Sequence, residues 1–196
     1  MQHFVALGVL TALVLAGCGL ISTPPINDPL KLDGKTISAS FPLVTAIKAN
    51  PKPSIATFTF DNLTDLPSLS TTPSGFELRI GFSSGEVTGS CTAPNTINVS
   101  LTSISFQVSD DQGTVAIGGG PVTFKLNKGT GSAYTVSNLS TTVLGFTQGS
   151  VGTLLNILKA GGKNTLQGSM DVEVDDALAG CTLTLTLGGT TGTIKF

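Results

Sequence analysis

Ile97-Asn98-Val99-Ser100-Leu101-Thr102-Ser103-Ile104-Ser105-Phe106-Gln107-Val108 is the stretch on which the reading of the fold turns. Side chains on a strand point alternately to its two faces, so a strand buried on one side shows apolar residues at every second position. Ile97, Val99 and Leu101 share one parity, and Ile104, Phe106 and Val108 share the other. A regular strand would therefore bury one trio and expose the other. One extra residue, a bulge or bend near Thr102-Ser103, returns both trios to a single buried face.

Working outward, the same period of two recurs. It runs through Thr36 to Phe41, Ile55 to Phe60 with Phe58 and Phe60 on one face, Phe76 to Phe82 with Leu78 and Ile80, and Leu183-Leu185-Leu187 between Thr182, Thr184 and Thr186. Shorter runs cover Val115 to Ile117, Val122 to Leu126, Tyr134 to Val136 and Thr190 to Phe196. Asp110-Asp111-Gln112-Gly113 reads as a hairpin loop, and Gly118-Gly119-Gly120-Pro121 and Lys128-Gly129-Thr130-Gly131 as further turns. Many short strands at near-regular spacing predict an all-β, antiparallel sandwich or barrel-like domain. One segment departs from it: Val151, Leu154, Leu155 and Leu158 fall at helical spacing, with Ser150 as N-cap and Gly161-Gly162 as terminator, which predicts a short helix over 151–160 that covers the sheets.

The chain opens differently. Phe4 to Ala16 is an apolar run of signal-peptide character, too short for a spanning helix, which needs about 20 residues. It leads into Leu15-Ala16-Gly17-Cys18, which resembles the lipobox of bacterial lipoproteins. That resemblance rests on the first 18 residues alone. It implies cleavage before Cys18, a diacylglyceryl group and further palmitate-type acylation on that cysteine, and a mature protein held on the cell membrane or outer membrane, facing periplasm or exterior. Gly19 stands where some lipoproteins carry an inner-membrane retention Asp, so the resemblance favours the outer membrane where the organism has one. Two acyl chains anchor stably where one does not. The expected organisation is a signal peptide at 1–17, a lipidated Cys and flexible tether at 18–33 with Pro24, Pro25 and Pro29, and a single β-rich domain at 34–196.

Composition bounds the chemistry. Charged residues are 11% of the chain and only ten are basic, nine of them scattered lysines, so no patch exists to neutralise phosphates and nucleic acid is not an expected partner. Ser and Thr, about a quarter of the residues, must supply most of the polar surface. With Cys18 claimed by lipid, Cys91 and Cys181 are expected to form a disulfide in an oxidising compartment. The only histidine is His3, there is no Trp, and Tyr134 and Arg79 are single. Imidazole catalysis is thereby excluded from the mature chain, and stacking platforms for sugars or bases are poor.

The acidic group Asp171, Glu173, Asp175 and Asp176 is the best metal candidate. Period two puts Asp171, Glu173 and Asp175 on one strand face opposite Met170, Val172 and Val174. Same-face neighbours lie about 7 Å apart, too far to share one calcium unaided, so a solvated face without metal is expected. No cofactor is expected. The irregular Asp61 to Gly75 connection is long enough to be functional, although its residues do not say so. The resulting expectation is a lipid-anchored, non-catalytic module that binds or presents a protein, glycan or apolar ligand in the cell envelope. A structural or assembly accessory is the alternative, and a carboxylate-dependent enzyme the remaining one.

Overall fold

The computed structural model describes residues 22–43, 54–61, 72–160, 163–174 and 178–196. The chain forms β1 (Ile26–Asn27), β2 (Thr36–Phe41), β3 (Ser54–Asp61), β4 (Gly75–Arg79), β5 (Phe82–Gly89), β6 (Thr96–Asp110), β7 (Gly113–Gly119), β8 (Val122–Lys128), β9 (Ala133–Ser137), β10 (Gly145–Gln148), α1 (Val151–Lys159), β11 (Thr165–Val174), β12 (Cys181–Leu187) and β13 (Thr191–Lys195). All the strand pairings are antiparallel.

β6 is the hub. One edge pairs with β11 from Val99 to Ser109; the other is divided between β8, over Thr96 to Leu101, and β7, over Ile104 to Asp110. The register against β11 slips by one residue between Ser105 and Thr102, and Ser103 there has φ 49°, the left-handed region. The side chain of Ser103 is exposed while Ile97, Val99, Leu101, Ile104, Phe106 and Val108 are all buried. The bulge expected from the sequence thus sits where β7 departs and β8 takes over.

From β6 a circuit runs through β8, β9, β5, β12 and β2 in one direction and through β11 and β3 in the other. β2 and β3 then meet, with Ser54 Oγ donating to the Ser40 carbonyl at 2.7 Å. The result is a nearly closed, eight-stranded barrel-like sheet, from which β7 and β10 branch. Its inside is filled by alternating side chains such as Phe106, Leu126, Tyr134 and Leu185, each no more than 2% exposed. Phe82 stacks on Phe124 with ring centres 4.9 Å apart, and Phe58 meets Phe106 at 5.4 Å. The Phe58 ring covers Gly168, its register partner on β11, and occupies the place a side chain there would take.

A smaller sheet, β1-β13-β4, extends from one end of the barrel. Two barrel strands run into it together: β5 is preceded by β4 and β12 is followed by β13, and both turn the corner where Gly81 meets Gly188 and Gly189. A Cβ on Gly81 would be driven into the Gly188 carbonyl oxygen, so the two backbones approach this closely only because the position is glycine. The alternation Phe76-Leu78-Ile80-Phe82 continues through this corner, which is why the sequence reads there as one strand although the chain changes sheets.

α1 lies against β6 and β7. Ser150 caps it, its Oγ accepting from Thr153 N at 3.1 Å, and Val151, Leu154, Leu155, Ile157 and Leu158 are buried. Nine residues are too few for a helix to persist on its own, so packing holds it. Asn164, 1% exposed, donates to the Ile157 carbonyl and satisfies the helix end. The expected terminator Gly161-Gly162 lies outside the described residues.

The flexible tether expected through Asp33 does not extend that far. Ser22 bridges Lys195, β1 pairs with β13, and Leu30 and Leu32 are fully buried. Asp28 Oδ1 accepts from Leu32 N at 2.6 Å, which turns the chain, and the Asp33 carboxylate accepts from the Gly189 and Thr190 amides at 3.0 and 3.1 Å. The segment is a strap on the domain: three prolines and a missing period removed the local signs of order, whereas its order comes from pairing with residues far along the chain. Residues 22–33 therefore belong to the folded unit, which does not start at residue 34.

Candidate functional site

Cys18 and the rest of residues 1–21 lie outside the described residues, as do Asp175, Asp176 and residues 62–71 of the long connection. Cys91 and Cys181 are joined, with Cα atoms 5.6 Å apart. Cys181 opens β12, and Cys91 lies in the β5–β6 connection, where its amide also faces the Cys181 sulfur at 3.1 Å. The bond ties the loops at the end of the barrel opposite the small sheet.

β11 carries the acidic residues as the alternation requires. Met170, Val172 and Val174 are buried, Glu173 is exposed and Asp171 is half-buried. Asp171 is the register partner of Ile55 and Thr102, and Glu173 accepts from Thr102 Oγ1 at 3.2 Å. Glu173 thus already has a neutral partner on the adjacent strand. Among the described residues no three Asp, Glu, Cys or His side chains stand close enough together to hold a metal ion.

The outer face of the barrel is built of hydroxyls. Ser38 and Ser40 on β2 pair across the ladder with Thr184 and Thr182 on β12 at 2.9 and 3.0 Å, and Ser109 pairs with Thr165 at 3.2 Å. Such cross-strand pairs each contribute a few tenths of a kcal/mol, roughly, and keep a low-charge surface wettable. Among the described residues, two shallow depressions on it stand out. One, of about 290 Å³, lies over β6 and β8 and is lined by Asn98, Ser100, Thr123, Lys125 and Asn138 with Val99 and Phe124. The other, of about 220 Å³, lies over β6 and β11 among Ser105, Gln107, Gln167, Gly168 and Ser169. Both offer amide and hydroxyl hydrogen-bonding groups. Neither was visible in the sequence, because each combines ordinary outward residues of strands that meet only in the folded barrel.

Among the described residues Tyr134 is the group whose titration is clearly moved: burial raises its phenol above the usual value, and its hydroxyl donates to the Pro94 carbonyl at 2.7 Å. It is a structural clamp between β9 and the β5–β6 connection. Among the described residues no helix is long and apolar enough to cross a membrane. Comparison with family models, with curated proteins and with solved structures returns no match to this chain. What the geometry defines is an all-β, nearly closed barrel with a packed interior, a hydroxyl-rich exterior and a disulfide across the loops at one end.

Proposed function

We propose that the chain is an exported lipoprotein, cut before Cys18 and anchored through lipid on that cysteine. Its barrel is a non-catalytic module that binds a protein or glycan partner of the cell envelope. The observation that carries this reading is the pairing of Cys91 with Cys181, which accounts for two of the three cysteines, the third being Cys18 directly behind Leu15-Ala16-Gly17. A disulfide suits an oxidising compartment outside the cytoplasm, the same compartment that a signal peptide would reach. The packed barrel interior favours recognition on the surface over the enclosure of an apolar ligand, and the amide- and hydroxyl-lined depressions suit a hydrogen-bonding partner. Catalysis has no part in the proposal, since the only histidine is His3 and general acid–base work at neutral pH most often rests on imidazole.

Metabolic labelling with a palmitate analogue tests the anchor. The wild-type chain should take up label and partition into detergent, and Cys18→Ser should do neither. Label retained by Cys18→Ser, or a wild-type chain that stays in buffer, overturns the proposal.

A further inference from the structure

We infer that the edge of the β1-β13-β4 sheet is held close over the lipid headgroups, so that the disulfide-tied end of the barrel faces away from the membrane. This rests on the lipid-anchor reading and adds the orientation of the domain to it. Chain length sets this orientation. Ser22 is already fixed: it bridges Lys195, Thr23 N donates to the Ile194 carbonyl at 2.9 Å, and Ile194 N returns a bond to Thr23 Oγ1 at 3.1 Å. From there β1, Asp28, Leu30, Leu32 and Asp33 leave no slack before the barrel. Only Gly19, Leu20 and Ile21 separate Ser22 from Cys18.

Four residue steps reach at most about 14 Å even when fully extended. The headgroup layer that the lipid's glycerol sits beneath is roughly 5–8 Å deep on each side of the bilayer. The difference leaves the Ser22 edge within about 6–9 Å of the headgroup surface, too little for the domain to turn over. Along the edge lie Ser22, Ser74 and Lys195 beside the half-buried Phe196, and the Lys195 ammonium is matched by Glu77 at 3.2 Å. Among the described residues of the edge no excess positive charge draws it to the membrane, so covalent reach and not electrostatic attraction sets the position.

The barrel runs the other way from this edge. β12 leads from Cys181 to Leu187 and β13 continues to Lys195, so the Cys91–Cys181 bond, the 90–95 connection and the 129–132 turn lie at the end remote from the anchor. That end is the one a partner in the periplasm or exterior meets first.

The full acylated chain, in vesicles of phosphatidylethanolamine and phosphatidylglycerol carrying a nitroxide headgroup quencher, tests the orientation. A maleimide fluorophore is placed either at Ser74→Cys, on the exposed strand end beside Lys195, or at Thr130→Cys, on the exposed remote turn. The Ser74 probe should lose most of its emission and the Thr130 probe should keep its own, at low and at high salt alike. A Gly/Ser spacer of roughly 20 residues after Gly19, with an r.m.s. reach of about 25 Å, should restore much of the Ser74 emission. Equal quenching at both sites, or Ser74 quenching that the spacer leaves unchanged, overturns the orientation while acylated Cys18 in the same sample keeps the anchor reading. Absence of acyl mass on Cys18 overturns both.

Discussion

Breaking the Cys91–Cys181 bond should lower the stability of the domain by a large, calculable amount. The two residues are 90 apart in sequence, and in the chain-entropy model closing a loop of that length removes about 4.6 kcal/mol of disorder from the unfolded chain. In the native state little changes when the bond is cut, because Cys181 stays paired with Gly89 on β5 and Phe41 on β2. Nearly all of the effect should therefore be paid through the unfolded state. For a domain of this size it corresponds to a fall in Tm of roughly 9–18 °C. The assay is built in: the chain has no Trp and a single tyrosine, Tyr134, buried on β9, whose emission reports unfolding. Reduction of the wild type and the double replacement Cys91→Ala with Cys181→Ala should give one cooperative transition at nearly the same lower temperature. A fall under about 4 °C would mean that the unfolded chain is already compact around this loop, or that the bond is not closed, and would refute the reasoning.

Three further perturbations probe the packing. Gly168→Ala would set its Cβ against the Phe58 ring and 2.9 Å from the Ser105 carbonyl, and should cost about 1–3 kcal/mol in guanidinium denaturation. Asp33→Ala removes the acceptor of the Gly189 and Thr190 amides at the barrel corner, and should cost about 1–3 kcal/mol, with Asp33→Asn recovering part of it. Burial raises the Tyr134 phenol, so the native state holds that proton longer than the unfolded chain does. Its contribution is then intact below about pH 10 and is lost as pH climbs from there through the native value; Tyr134→Phe should flatten that alkaline decline in urea midpoints measured by circular dichroism.

Local pattern carried much of this fold. The parity switch between Leu101 and Ile104 foretold a bulge, since only one extra residue could bury both trios, and Ser103 supplies it. The helix over Val151–Lys159 was legible from its spacing and its Ser150 cap. The disulfide was expected from the cysteine count together with the compartment that the lipobox resemblance implies. What stayed hidden depends on distant partners. Residues 22–33 hold their place through β13 and the 189–190 corner, with only Leu30 and Leu32 to mark burial, and two apolar residues among prolines show no period. The corner at Gly81 was masked by an alternation that passes through it unbroken. The depressions on β6 combine outward residues of strands that meet only in the folded barrel. On the acidic strand the sequence placed Asp171 and Glu173 on the outward face but not the half-burial of Asp171 between β3 and β6.

The most direct measurement is the mass of the N-terminal peptide of the protein extracted from membranes of cells that make the full chain. The peptide should begin at Cys18 and carry a diacylglyceryl group with further acyl mass. An unmodified Cys18, or a mature chain that begins at another residue, would contradict the lipid anchor.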